Sequence, residues 1–208
     1  NETNRGFAAA NNAGISLATG EFLVLLNNDT VVTGGWLSAL LRHLQADARL
    51  GLVGPVTNAI GNQAQIEVGY HAIEELPAWA ESYTSARAGQ SFPIPMLAMF
   101  CVAMRREVYD QIGPLDERFG LGMFEDDDYC RRLRDAGYDL RCASDAFVHH
   151  WQKSAFALLG VNRLREADHA GLRHRVSRPG LRRSLLRGVG DDVHDRSGAA
   201  RAHLREEG

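Results

Sequence analysis

No apolar run in this 208-residue chain approaches the roughly 20 residues that a membrane-spanning helix needs, so none is read from it. Cysteine is scarce. Cys101, Cys130 and Cys142 are odd in number and show no CxxC spacing. That pattern excludes a disulfide framework and reads as free thiols in a reducing, cytoplasmic compartment. An excess of basic charge is missing too: the formal net charge is −3, which argues against an electrostatic nucleic-acid binder. No GxxxxGKS/T loop occurs, so the phosphate cradle of a phosphoryl-transfer ATPase is absent. What remains is an ordinary hydrophobic share of 45% over a length that fits one domain, or one domain with a tail.

Phe22-Leu23-Val24-Leu25-Leu26 runs unbroken into Asn27-Asn28-Asp29-Thr30. The apolar run predicts a short strand buried on both faces, the kind found in parallel sheets covered by helices. Ligands of open α/β sheets lie beyond the carboxyl ends of the strands. Asn27, Asn28 and Asp29 fall there. Their oxygens suit a hard cation, Mg²⁺ or Mn²⁺, that arrives carrying phosphates. The same residues equally suit a polar turn.

Ahead of this strand, an alanine-rich segment after Gly6 predicts a helix that fades near Thr19-Gly20. Entered through Asn4-Arg5-Gly6, it can present amides and a guanidinium to a diphosphate; a solvated Arg5 is the plainer alternative. Beyond Asp29, Thr33 is placed to cap a second helix with Trp36, Leu37, Leu40, Leu41 and Leu44 on one face. Leu50 to Val56 reads as a strand stopped by Pro55, and Met96 to Met104 as another buried strand. Between them the chain loses periodicity. A helix broken around Pro77 is expected there, within a connection long enough to be a lid or binding loop. Tyr70, Trp79 and Tyr83 either line an acceptor pocket or pack in the core.

Phe124 to Gly137 predicts one helix with the apolar stripe Tyr129, Cys130, Leu133 and Ala136. Its acidic first turn suits the helix dipole. Spacing nevertheless separates the four acids. Asp127 has Arg131 four residues on and Asp128 has Arg132, whereas Glu125 and Asp126 have no basic residue three or four positions away. A general base must not already be held in an ion pair, so Glu125 and Asp126 are the candidates. Two short strands, Tyr138 to Cys142 and Ala146 to Val148, then lead to His149 and His150. These histidines can serve as metal ligands or as ordinary structural groups.

Taken in order, the chain resembles family 2 of the nucleotide-sugar glycosyltransferases, which have the GT-A fold. The segments that carry the resemblance are Asn4-Arg5-Gly6-Phe7 through Asn12-Ala13-Gly14, Leu26-Asn27-Asn28-Asp29-Thr30, Gly35-Trp36-Leu37, Gly113-Pro114-Leu115-Asp116-Glu117-Arg118-Phe119, Glu125-Asp126-Asp127-Asp128 through Gly137-Tyr138, and His149. It looks most like bacterial members that build surface polysaccharides, rhamnosyltransferase-like ones included.

The resemblance implies a Rossmann-like, mostly parallel sheet with helices on both faces, over a partial domain at residues 1–160. It implies inverting transfer of a sugar from a nucleotide-diphosphate donor to a glycan or lipid-linked acceptor, at the inner face of the cell membrane. Arg5, Gly6, Asn12, Asn27, Asn28 and Asp29 would bind the donor. Asp29 stands in the family's DxD motif, with Asn27 replacing the first acid, and would hold the cation together with His149 or His150. Asp126, in the Glu125-Asp126 pair, matches the catalytic base. Met99 stands where many members carry glycine, a departure on the acceptor side.

The strand, helix and strand with which the family binds base and ribose have no counterpart here. This implies an N-terminally truncated domain that alone binds sugar nucleotides poorly and is inactive. The rival reading is a non-catalytic sugar- or partner-binding remnant. Residues 161–208 are expected to be a disordered, Arg-rich tail. From 172 to 208 nine arginines face five acids, a balance of +4 that can touch anionic lipid at the membrane periphery.

Overall fold

The computed structural model describes residues 3–151; the Arg-rich tail expected over 161–208 lies outside them. The chain alternates helices and strands: α1 (Phe7–Leu17), β1 (Phe22–Leu26), β2 (Thr30–Val32), α2 (Trp36–Ala46), β3 (Leu50–Val56), α3 (Leu76–Ser85), β4 (Ser91–Pro93), β5 (Cys101–Arg105), α4 (Arg106–Ile112), α5 (Glu125–Asp135) and β6 (Asp139–His150). The strands form one sheet in the order β1-β5-β3-β6-β2, with β4 also on β6.

Alternation along the central strands builds two cores. Val102 and Met104 of β5 face one side, with Leu52 of β3 and Phe147 of β6. That side is covered by Ala8 and Ile15 of α1, Leu76 and Ala80 of α3, Val108 and Ile112 of α4, and Tyr129, Cys130 and Leu133 of α5. Cys101 and Ala103 face the other side with Val53 and Val148, under Ala39, Leu40 and Leu44 of α2. Helices thus lie on both faces, and all three cysteines are buried free thiols.

The strand directions differ from the expectation of a mostly parallel sheet. Only β3 and β6 pair in parallel; β1–β5, β3–β5, β4–β6 and β2–β6 are antiparallel. An apolar run reports burial but not direction, so the sequence pattern carried no signal for this. Nor is β1 buried on both faces. It ends the sheet order, and while Leu23 and Leu25 are buried, Val24 and Leu26 are 36% and 43% exposed.

Pro55 does not stop its strand. All seven residues of β3 are buried, and Pro55 sits where the register with β6 slips, from Pro55↔Ala143 to Val56↔Phe147. Such an irregularity tolerates a residue with no N–H to give. The two short strands expected before the histidines are one strand of 12 residues, so both histidines lie within its end. Pro77 falls in the first turn of α3 and does not break it. The strand expected from Met96 begins only at Cys101.

Thr33 does not cap α2. Its hydroxyl donates to the Phe147 carbonyl at 2.7 Å, and the left-handed Gly35 (φ 76°) precedes the helix. At the other end, the Arg105 guanidinium donates to the carbonyls of Leu44, Asp47, Ala48 and Leu50. It thereby satisfies acceptors that the end of a helix leaves unpaired.

Gly6 is required by a close crossing. Its φ is +87°, and a Cβ there would lie 2.0 Å from the Gly120 carbonyl oxygen. The next residue, Phe7, donates its N–H to the Leu121 carbonyl at 3.3 Å. Gly6→Ala should therefore lose about 1–3 kcal/mol or more of stability in denaturant unfolding. Gly14→Ala, in the same region with nothing within 4 Å, should gain a few tenths to about 1 kcal/mol. Equal effects of the two would show that the crossing is slack.

Candidate active site

The turn after β1 is fixed by its backbone. The Asn27 N–H donates to the Phe100 carbonyl at 2.7 Å, and the Thr30 hydroxyl to the Asn27 carbonyl at 2.7 Å. Asn28 is exposed, and Asn27 and Asp29 are half-buried. The Asp29 carbonyl accepts from the Trp151 N–H at 2.9 Å, while Oδ1 of its side chain is buried without a hydrogen-bond partner among the described residues. His150 Nε2 lies 3.4 Å from that oxygen.

His150 is held from three sides. Its N–H and carbonyl both engage the Asn58 amide, at 2.7 and 3.2 Å. Its ring stacks on Phe100 with centres 4.9 Å apart. Nδ1 is 3.0 Å from the Ala59 carbonyl. A carbonyl only accepts, so Nδ1 carries the hydrogen. In the neutral ring the Nε2 lone pair then faces the Asp29 carboxylate. A proton on Nε2 or a cation between the two groups relieves that opposition, and one carboxylate with one imidazole fits Mn²⁺ or Mg²⁺ bound with phosphates. No group of three or more His, Cys, Asp or Glu side chains forms a closed cage among the described residues.

His149, the neighbour in β6, does not share this partner. The Tyr70 hydroxyl lies 2.5 Å from its Nδ1, and its Nε2 is buried without a partner among the described residues. Burial, then the charge of His150, lowers its pKa, and burial pushes Tyr70 up to about 12. Tyr70 also packs edge-on against Trp79 and Phe147, and Trp79 stacks on Tyr83. Of the two roles open to these aromatics, core packing is the one the structure displays.

α5 presents the acids. Asp128 takes Arg132 at 2.8 Å, as their spacing predicted, and Arg132 also donates to the Ile112 and Pro114 carbonyls. Arg131 lies 3.7 Å from Asp135. Glu125 is only 7% exposed, and its Oε2 has no hydrogen-bond partner among the described residues. Burial, with the charges of Asp126 and Asp127 adding to it, raises its pKa to about 7. Asp126 is half-buried and accepts the Asp127 N–H at 2.9 Å. Burial and then the Asp127 charge raise it to about 6. The chain reaches this helix through two non-glycine residues at positive φ, Met123 (81°) and Phe124 (75°), a strained approach of the kind found at functional sites.

A stability effect follows from Glu125. Its carboxyl titrates near 7 when folded against 4.5 ordinarily. The native state therefore holds the proton across that window, and stability falls as pH rises through it. The loss attributable to this group is about 3 kcal/mol. Glu125→Gln should flatten the decline in unfolding free energy between pH 5 and 8. An unchanged slope would assign the decline to other groups.

Arg5, Gly6 and Asn12 gather elsewhere, on the segment before α5. Arg5 lies 3.5 Å from Glu117 with both side chains exposed. The Asn12 amide donates to the Leu115 carbonyl at 2.9 Å and to Glu117 Oε1 at 3.1 Å, and accepts the Leu115 N–H at 3.0 Å. Its hydrogen-bonding capacity is thus largely committed to holding residues 115–117. Sequence reasoning missed the partners that fix the histidines, Asn58, Ala59, Phe100 and Tyr70. Asn58 and Tyr70 were visible only as members of a long connection.

The glycosyl transferase family 2 model matches residues 1–113. An uncharacterized protein of Mycobacterium tuberculosis is 32% identical over 170 residues, 77% of this chain and 59% of that protein. The pre-mycofactocin glycosyltransferase of the same species is 30% identical over 157 residues, 70% of this chain and 30% of its own. The succinoglycan biosynthesis protein ExoM of Rhizobium meliloti is 28% identical over 172 residues, 78% of this chain and 51% of its own. Two solved structures share the fold. One is the mannosyltransferase PcManGT from Pyrobaculum calidifontis in complex with GDP-Man and Mn²⁺ (TM-score 0.52, 19% identity, 81% of this chain and 44% of that one). The other is GalNAc-T7 with UDP, GalNAc and Mn²⁺ (TM-score 0.54, 16% identity, 72% and 31%). The chain spans 59% of the length of the first relatives it matches. With a family model over more than half its length and the GT-A-like α/β fold, the chain belongs to glycosyl transferase family 2.

Proposed function

We propose that this domain carries out inverting transfer of a sugar from a nucleotide-diphosphate donor to a hydroxyl of a glycan or lipid-linked acceptor. The observation that carries the reading is the Asp29–His150 pair, 3.4 Å apart with Asp29 Oδ1 buried and without a hydrogen-bond partner among the described residues, an arrangement that suits a bound cation. Asp29 Oδ1 and His150 Nε2 would be its protein ligands. A bound Mg²⁺ or Mn²⁺ supplies Lewis-acid neutralisation of the departing diphosphate. The exposed Asn28, beside Asp29 in the same turn, would contact donor oxygens, and Arg5 would do so only on leaving Glu117.

Asp126 takes the proton of the acceptor hydroxyl as that oxygen bonds to the anomeric carbon. The bond from that carbon to the diphosphate oxygen breaks with its electron pair on the leaving group, and the proton stays on Asp126. A carboxylate raised to about 6 is still largely ionised at neutral pH and is a stronger base than an ordinary aspartate. Glu125, raised to about 7, is half protonated there.

In the complete protein, kcat/KM should therefore climb with pH along a limb centred near 6 and level off above it. A limb centred near 7 would move the base to Glu125, and a flat profile would remove the base from this pair. Two relatives bear on the acceptor: ExoM is named for succinoglycan biosynthesis, and RfbC of Myxococcus xanthus for O-antigen biosynthesis. A lipid-linked acceptor would bring the protein to the cytoplasmic face of the membrane as a peripheral component. No described helix is long and apolar enough to cross it.

A further inference from the structure

We propose that the connection at residues 57–66 belongs to the cation site and that Asn58 is its positioning residue. The Asn58 side chain stands in for a missing strand partner of His150, so order in this connection and cation occupancy are coupled. The inference rests on the Asp29–His150 cation reading above and adds to it a residue and a loop.

The sheet ladder explains why a substitute is needed. β3 and β6 run parallel, and their pairing ends at Val56↔Phe147. His150 lies beyond that pair, and its main-chain groups find no β3 residue opposite. Main-chain donors and acceptors left unpaired away from water are costly. Asn58, the second residue past β3, fills the gap. Its Oδ1 accepts the His150 N–H at 2.7 Å, and its Nδ2 donates to the His150 carbonyl at 3.2 Å. Only one orientation of the amide satisfies both. One side chain thus supplies what a paired residue of a neighbouring strand would supply.

The other edge of β6 is fixed at the same height. Thr30 pairs with His150, and the Trp151 N–H donates to the Asp29 carbonyl at 2.9 Å. The end of β6 is therefore held between Asn58 on one side and the turn that carries Asp29 on the other. Asp29 Oδ1 and His150 Nε2, 3.4 Å apart, owe their spacing to both. Without Asn58 the strand end is held at this height from the β2 side alone.

Asn58 is in turn presented by a loop that closes on itself. The buried Thr57 hydroxyl donates to Asn58 Oδ1 at 3.3 Å. The Thr57 N–H donates to the Ala64 carbonyl, and the Ile66 N–H to the Thr57 carbonyl, both at 2.9 Å. Gln65 Oε1 accepts the Ile60 and Gly61 N–H groups at 3.0 and 2.9 Å, and Asn62 Oδ1 accepts the Ala64 N–H at 2.9 Å. A state in which Asn58 has released His150 places the two cation ligands less well. A cation bound between them disfavours that release, and linkage makes the effect reciprocal.

Mn²⁺ titrated into the ¹⁵N-labelled 208-residue chain tests this through the paramagnetic broadening of amide signals. In the wild type, broadening should concentrate at Asn28, Asp29 and His150. Asn58→Ala should raise the Mn²⁺ concentration for half-broadening about tenfold, as loss of an outer-shell partner does at metal sites. Thr33→Val removes the hydroxyl bonded to the Phe147 carbonyl of the same strand. It should lower the melting temperature and leave the Mn²⁺ response unchanged. The wild type alone supplies a second arm, which stands even where Asn58→Ala fails to fold. Saturating Mg²⁺ should slow hydrogen exchange several-fold at the His150, Ile60, Gly61 and Ala64 amides. An equal Mn²⁺ response in wild type and Asn58→Ala overturns the positioning role, as does an equal loss in Thr33→Val. Exchange that Mg²⁺ leaves unchanged overturns the coupling. Wild-type broadening that spares Asp29 removes the cation reading itself, and this inference with it.

Discussion

Asp126→Asn should lower turnover by about 10²–10⁴ and leave donor affinity largely unchanged. The substitution is nearly isosteric, and the amide oxygen can still accept the Asp127 N–H that Asp126 now accepts at 2.9 Å. The start of α5 should therefore keep its shape. What is lost is the capacity to take a proton from the acceptor hydroxyl. Asp128 cannot take over, because Arg132 holds it at 2.8 Å. Glu125 is a nearby substitute: it is buried with an oxygen unmet among the described residues, and burial raises its pKa to about 7. The measurement is transfer or donor hydrolysis by the complete protein, with binding followed separately. Intact turnover in Asp126→Asn, together with its loss in Glu125→Gln, would exchange the two roles.

Asp29→Ala should weaken Mg²⁺- or Mn²⁺-dependent donor binding by about 100-fold or more, since even outer-shell changes at metal sites cost 10- to 100-fold. Chelation should bring the wild type down to the level of the variant and leave the variant unmoved. Stability should go the other way. Asp29 Oδ1 is a buried oxygen without a hydrogen-bond partner among the described residues, and in metal-free buffer its removal relieves a desolvation cost. The variant should melt no lower than the wild type there. A variant that binds donor normally but unfolds more easily would make Asp29 a structural residue of the turn.

The sequence disclosed those features whose cause is local. The apolar run at 22–26, the helix after Gly6, the Tyr129, Cys130 and Leu133 stripe of α5 and the Asp128–Arg132 pair all arise between residues a few positions apart and are present, while Ala136, expected in that stripe, is exposed past the helix end. Direction was not local: β5 runs against both β1 and β3, and nothing in a five-residue apolar run encodes that. The assignment of Thr33 as a cap failed because its true partner, the Phe147 carbonyl, is 114 residues away. Asn12 is similar, with its partners at 115 and 117. The candidate site divides in the same manner. The acids could be ranked by counting nearby arginines. The histidines could not be told apart, because what distinguishes them is a carbonyl at Ala59 and a hydroxyl at Tyr70.

The contact between Gly6 and the Gly120 carbonyl carries a mechanical meaning. Arg5 rides on one strand of that crossing, and a few residues past the other lie Glu125 and Asp126. A side chain at position 6 would push apart the segment that carries Arg5 and the one that leads on to the carboxyls.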